Sequence, residues 1–396
     1  MNPSSSGWIN KFGHLVNKEN LHFKDFESLY TQLKANGFIY GVHLDIPSFI
    51  PVEHKLTEDE IAKINLLTAL YFTFRFEKNE IDFDVFVNTV FTYYQSLDVG
   101  KVSFLNKILT GKQTKSQLEK LIDSRIYLGN NTFNRAFGNS LTNSLLYVDV
   151  LIFRIYLKNH KPVRQHAQLL EYITINIAYH TLNSKETNKK DVKLVQILAS
   201  SLTYINLEEA DFDGNYRGLL KHNFTDYEKN FFLDIACLTL WEDGSLEHTE
   251  SDYIFGLGKD LGRTEIEVKA ALDFVMDFFE KNLEKATYLN DKNLAFQFYE
   301  GMSKNVSKLI LRNSKRLKKE LTESKELLSL LSKSTVRELS KEEKKKVQKH
   351  LLDTFKTIPS LAIFMLPGGA VLLPIFIKLI PKLLPSAFDD NRIEKS

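Results

Sequence analysis

An all-α fold is what this sequence predicts, on three observations. Glycine and proline are scarce, 17 and 9 in 396 residues, which is too few turn-formers for a many-stranded sheet protein. Apolar residues recur at i, i+3, i+4 and i+7 through most of the chain. Ser or Thr stands three residues ahead of Glu at the head of several of these stretches, the spacing of a helix capping box. In full, the expectation is multi-helical soluble domains followed by a C-terminal proline-rich membrane segment.

The elements follow in order. In "LTEDEIAKINLLTALYFTFRF", Thr57 and Glu60 form the capping pair, and Ile61, Ile64, Leu67 and Tyr71 supply the helical period. The preceding "YGVHLDIPSFIPVEH" reads as extended, because residues before proline avoid the α region. "EIDFDVFVNTVFTYYQSL", "NSLLYVDVLIFRIYLKN", "HAQLLEYITINIAYHTL" and "DVKLVQILASSLTYI" are each helical by the same period. A polar stretch, Asn206 to Phe224, carries the turn signal Asp213-Gly214 and suggests a boundary. Beyond it the pattern is helix, the acidic turn "WEDGSLEHTESD", helix, a glycine-containing turn, and a helix capped by Thr264 and Glu267. From about Ala286 to Thr335 the reading is one long helix or a pair. "LSKEEKKKVQKHLLDTFKT" then shows Ser340 as N-cap, acids in the first turn and lysines after them. The expected divisions are a helical N-terminal domain (1–220), a helical module (221–286), a basic helical stalk (287–357), a membrane segment (358–388) and a polar tail (389–396).

Charge is unevenly spread. The net charge is +2, yet Gly301 to His350 holds 15 Lys and Arg against 6 Asp and Glu, leaving the rest of the chain at −7. The N-terminus lacks a basic region followed by an apolar core, so no secretory signal is expected. The single cysteine, Cys237, lies in an apolar run, which fits a buried thiol and a reducing compartment.

The tail carries the strongest functional signal. Thr357 to Ile377 is 21 residues without a charge, about 30 Å as helix and close to the hydrocarbon thickness of a bilayer. Pro359, Pro367 and Pro374 would break its hydrogen-bond ladder. That predicts either a re-entrant hairpin turning at Gly368-Gly369 or a kinked span packed on another protein segment. Lys378 and Lys382 can snorkel, and the upstream Lys344, Lys345, Lys346, Lys349 and Lys356 suit an anionic cytoplasmic lipid surface. A buried core hairpin is the plain alternative.

Within "LSKEEKKKVQKHLLDTFKTIPSLAIFMLPGGAVLLPIFIKLIPKLLPSAF", the positions Leu339 to Glu342, Leu372-Leu373-Pro374, Lys378, Pro381, Leu384-Pro385-Ser386 and Phe388 resemble the membrane segment of the leucine zipper–EF-hand-containing transmembrane (Letm) family. The resemblance covers about 50 residues. It implies an inner-membrane setting and links the chain to cation/proton exchange and ribosome contact. Two departures limit what it carries. Family members often place a glutamate four residues before the "LLP" proline, where this chain has Ala370, and a proton-coupled exchanger needs such a group. The family's ribosome-binding domain and EF-hand are expected after the span, where only "DDNRIEKS" remains. The 221–286 module resembles the TerB-like helical fold, and bacterial Letm-related proteins with such an extension, some labelled biofilm-associated, are similar to the whole.

Other constellations point to less. Asp243, Glu247, Glu250 and Asp252 supply oxygen ligands that could hold a divalent cation, but the spacing is not an EF-hand loop, and a capped, solvated acidic turn accounts for them. "GLGKDLG" follows a helix, so it reads as a turn and not as a phosphate loop. "HKPVRQH" lacks an acidic companion at metal spacing and reads as a surface loop. No nucleophile–base set stands out, so neither catalysis nor a cofactor is expected, and nucleic acid is not an expected partner. The sequence therefore points to a membrane-anchored, non-enzymatic scaffold on the cytoplasmic face of the inner membrane. Its partners would be lipid, other proteins or further copies of itself. A Letm-like cation/proton exchanger, or a protein whose tail docks on its own helices, remain the alternatives.

Overall fold

The computed structural model describes residues 1–16, 22–97, 114–126, 144–159, 163–184, 192–202, 216–221, 224–241, 248–282, 303, 306–358, 361, 364–365 and 369–389. It is all-α, with no strand among the described residues. Two long helices organise it. The first, α3 (Glu58–Lys78), follows α1 (Trp8–Val16) and α2 (Phe26–Ala35). The capping box is in place: Glu60 N–H donates to Thr57 Oγ1, while Thr57 N–H donates to Glu60 Oε2 at 2.8 Å. From Glu60 to Phe74 every α3 residue but Lys63 is buried, and a helix buried on nearly all sides belongs at the centre of a bundle. Around it pack α2, α4 (Phe83–Ser96), α5 (Thr114–Ile126) and α6 (Leu146–Asn159).

The second organising helix is α7 (Arg164–Ser184), which packs against α6, α8 (Val192–Leu202), α10 (Asp226–Leu240) and α11 (His248–Asp260). The short α9 (Tyr216–Leu219) lies beside α11, and α12 (Glu265–Asn282) covers α10 and α11. Thr264 and Glu267 cap α12 as expected, with Thr264 N–H donating to Glu267 Oε2 at 2.8 Å. No helix lies between Ala35 and Glu58, in keeping with the proline-containing "YGVHLDIPSFIPVEH".

Polar groups inside the bundle are paired with care. Asp149 on α6 accepts from Arg125 Nε at 2.6 Å, Arg125 Nη2 at 3.1 Å and the Tyr94 hydroxyl at 2.8 Å, while Tyr93 donates to its carbonyl. Asp234 on α10 accepts from Lys34 at 2.6 Å and from the Tyr30 hydroxyl, tying α2 to α10. The helices of 221–286 therefore share one core with those before them. His43 is an exception: buried, with neither ring nitrogen hydrogen-bonded, it has its pKa pushed down to about 3 by burial alone. It sits just beyond the tight turn at Gly37, whose φ of +81° suits glycine.

Several local expectations change. The "GLGKDLG" stretch is helical through Asp260, and Gly258 serves packing: a Cβ there would stand 2.2 Å from Val268 Cγ2. The turn comes at Gly262, with φ +72°. His166 begins α7 instead of a surface loop and pairs with the buried Glu228 at 2.6 Å. Cys237 is a buried free thiol whose pKa burial raises far above the usual range. The expected boundary at 206–224 falls mostly outside the described residues, as does the turn at 242–247.

Candidate functional site

The C-terminal layer is built from α13 (Ser314–Glu323), α14 (Lys325–Val336), α15 (Lys341–Thr357), a 3-10 turn (Gly369–Val371), α16 (Leu373–Leu383) and α17 (Ser386–Asp389). Of the long helix or pair expected over 286–335, the described residues hold α13 and α14, parted at Ser324, whose hydroxyl caps α14. Leu317 and Leu321 on α13 and Leu327, Leu328, Leu330 and Leu331 on α14 form an apolar seam. Leu311, which the period places with Leu317, is instead exposed, while Leu309 is buried.

Ser340 opens α15 with a capping box to Glu343. Arg337 grips the same carboxylate through both terminal nitrogens, at 2.8 and 2.7 Å. Those bonds, then the Ser340 N–H, hold Glu343 down at about 2. One side of α15 is apolar: Val347, Leu351 and Phe355 are buried on α14 and the tail. The other side is lysine-rich and solvated. α15 stops at Ile358, which turns extended ahead of Pro359.

The tail beyond α15 departs most from expectation. No helix among the described residues is long and apolar enough to cross a membrane. The described residues of the uncharged stretch belong to separate elements: the end of α15, the 3-10 turn Gly369–Val371 and the start of α16. Pro374 lies in the first turn of α16, where a missing N–H costs no intrahelical bond. Pro381 sits inside α16 two residues before its end, and Pro385 follows the C-cap Leu384. These prolines delimit an 11-residue helix, about 16 Å long and half the reach a bilayer requires.

What covers the apolar tail is the protein itself. Gly369–Val371 packs on α8, and α16 packs on α8 and α14. Val371, Phe376 and Ile380 are wholly buried. Phe376 meets Phe355 and Phe364 with ring centroids at 5.2 and 5.1 Å, locking α16 to the end of α15. Lys378 and Lys382 are exposed, and Lys318 donates to Ser386 Oγ at 3.2 Å, closing the layer onto α13. Of the other residues singled out in the tail, Gly369 is buried in the 3-10 turn, Pro374 and Pro381 are half-buried and Pro385 is exposed. Pro359, Pro367 and Gly368 lie outside the described residues, and with them the expected hairpin turn.

One residue escaped the sequence reading. Glu171, on α7, is buried and accepts a hydrogen bond from the Ala370 N–H at 3.3 Å. A carboxylate therefore stands beside the tail position where the Letm resemblance expects a glutamate, supplied from 199 residues away in sequence. Its signal was present in "LLEYITINI", a lone acid inside an apolar helical run.

The acidic metal candidates do not assemble into a site that the structure describes. Asp243 and Glu247 lie outside the described residues, Glu250 falls within α11, and Asp252 is exposed on that helix. Among the described residues no group of three or more His, Cys, Asp or Glu side chains could hold a metal ion.

Comparison with known proteins gives one match. Residues 339–396 fit the family model described as "LETM1-like, RBD". The match begins at Leu339, where the resemblance begins, and takes α15, the apolar tail and the terminal polar residues as one unit. The expectation that the family's ribosome-binding part lies beyond residue 388 is therefore corrected in its bounds. No curated protein matches the chain, and no solved structure does. In its C-terminal segment, residues 339–396, the chain is similar to the LETM1-like family.

Proposed function

We propose that this protein is a non-enzymatic scaffold that works at a membrane through its C-terminal LETM1-like layer, with the helical bundle as the platform holding that layer in shape. The observation that carries the reading is the family match on residues 339–396, whose described helices and 3-10 turn pack on α8 and α14. The family match supports a membrane setting, and the lysine-rich side of α15 supports contact with its anionic cytoplasmic face. Among the described tail residues Val371, Phe376 and Ile380 are buried inside the fold, which supports a peripheral attachment. Partners are other proteins or further copies of this chain, held next to lipid.

The test is fractionation followed by purification from gentle detergent. Full-length protein is expected to sediment with membranes, to leave them in alkaline carbonate, and to purify as a complex of defined size. Recovery as a free monomer in the supernatant of untreated lysate overturns the reading.

A second reading, Letm-like cation/proton exchange, gains support from Glu171, whose carboxylate stands at Ala370. Proton-coupled cation flux in liposomes reconstituted with the full chain, abolished by Glu171→Gln, would favour it over the scaffold.

A further inference from the structure

We infer that the lysine face of α15 is the surface by which this protein lies on an anionic bilayer, in the plane of the headgroups. The inference rests on the membrane scaffold reading and specifies its contact. At 100° per residue, Lys341, Lys345 and Lys349 fall within an arc of about 80°, rising about 12 Å along the helix. All three are exposed. A second side, centred about 120° around the helix from the lysines, holds Val347, Leu351 and Phe355, buried on the rest of the layer. The helix thus has a fixed inner side and a charged outer side.

The charge on that outer side is uncommitted. Of the six lysines on α15, Lys346 pairs with Glu326 at 2.9 Å and Lys356 with Asp353 at 2.6 Å. Lys341, Lys345 and Lys349 are in none of the ion pairs of the described residues. The two acids in the first turn leave the stripe largely uncompensated. Glu343 is taken by Arg337 and the cap, and Glu342 accepts from Ser340 Oγ at 3.0 Å; it feels the charges of Lys345 and Lys341 but forms no ion pair with either.

Lipid fits this face better than nucleic acid does. Lysine is a compact point charge suited to a diffuse layer of phosphate headgroups, whereas bidentate phosphate readout uses arginine, and no arginine lies on α15. Single-stranded nucleic acid also needs aromatic platforms, and no large aromatic side chain is exposed among the described residues. Clusters of four to eight lysines on an amphipathic helix are the pattern of anionic-lipid binding. The structure adds why the contact is electrostatic: Val371, Phe376 and Ile380 are buried, so α16 offers no apolar wedge.

The experiment is vesicle co-sedimentation of the full chain. Phosphatidylcholine vesicles containing phosphatidylglycerol are compared with phosphatidylcholine alone, at low and high salt. Wild type is expected to bind only the anionic vesicles and to release them at high salt. K341Q/K345Q/K349Q is expected to bind about 100-fold more weakly, at about fivefold per lysine. K341R/K345R/K349R is expected to bind as wild type does. Unchanged binding by the glutamine variant overturns this inference while leaving the scaffold reading standing. Failure of wild type to bind anionic vesicles overturns both. Tighter binding to a single-stranded RNA than to the vesicles, lost in the glutamine variant, assigns the face to nucleic acid and also overturns it. All three lysines are exposed, so unchanged thermal unfolding of the variants checks that the fold is intact.

Discussion

The bundle around α3 and the C-terminal layer handle charge in opposite ways. In the bundle, Arg125 and Asp149 are 2% and 0% exposed, and every oxygen of the Asp149 carboxylate has a donor. In the layer, Arg337 and Glu343 make an equally well-formed pair, but Arg337 is half exposed. The bundle's ion pair is a structural joint between α5, α6 and α4, taken out of water and dependent on its partners. The layer's pairs are surface arrangements that leave most of the lysines solvated. A region that must only hold its shape buries charge in closed networks. A region that meets a partner keeps charge outside and relies on a thin apolar seam for its shape.

The largest effect that would break this contrast concerns Asp149. Replacing it with Ala leaves Arg125 buried without its counter-ion, a change that typically costs about 3–5 kcal/mol. Arg337→Ala, by comparison, leaves the denaturation midpoint unmoved, because solvent screens the pair it removes. Urea unfolding of the two variants measures both. Similar losses would show that the two regions do not differ in the way proposed.

Next comes acid. His43 is neutral in the fold, at about 3, against an unfolded value near 6.5. Between these values the unfolded chain binds the extra proton, so stability falls as pH drops below about 6.5. The loss from this group between pH 7 and pH 5 is about 2 kcal/mol. Asp59 works in the other direction: burial pushes it up to about 6, so it takes up its proton in the folded state and offsets part of the loss. The difference between wild type and His43→Leu isolates the histidine. Leu removes the pH-dependent part, and the stability gap between the two proteins shifts by about 2 kcal/mol over that range. A gap that stays constant from pH 7 to pH 5 would place His43 in contact with water.

How much of this was legible in the sequence follows the range of the interaction. The capping boxes at Thr57, Thr264 and Ser340 are three-residue signals, and each is where the spacing puts it. The helices they open were legible for the same reason. The tail was not. Its apolarity is a property of the sequence, but what covers it is a matter of α8 and α14, far away along the chain. Lipid and protein interior are equally apolar, so composition could not choose between them. The prolines could have. Pro374 and Pro385 fall at the start and just beyond the end of one short helix, where proline is best tolerated, and Pro381 interrupts the ladder in its last turns, so the spacing marks a short helix. Asp149 and Glu171, each alone in an apolar run, were the remaining clues, since a buried acid demands a partner.

Glu171 gives a smaller effect than either of the preceding changes. Glu171→Gln keeps the shape and an oxygen acceptor but removes the charge from the bond to Ala370. The expected cost is about 1 kcal/mol, confined to the docking of the tail. Hydrogen exchange should show it as faster exchange at Ala370 and through α16, with α3 unchanged. Uniform loss of protection across the bundle would mean that tail and core unfold as one unit, and the comparison of two regions would need redrawing.

The smallest expected effect is the most diagnostic for the tail. If Pro374 kinked a membrane-spanning helix, replacing it would remake the geometry of everything after it. In the structure Pro374 lies in the first turn of α16, and the first ladder bond there runs from the Phe376 N–H to the Leu372 carbonyl at 2.9 Å, so no bond awaits the N–H that proline lacks. Pro374→Ala therefore changes stability by no more than about 0.5 kcal/mol, the range of substitutions that break no named interaction. Pro381→Ala differs in kind. Inside the last turns of α16 an alanine restores an N–H to the ladder, so slower exchange of the α16 amides is expected from that variant and not from Pro374→Ala. A large loss of stability or a changed oligomer size in Pro374→Ala would return the kinked span to consideration and remove the reason for confining membrane contact to the lysine face of α15.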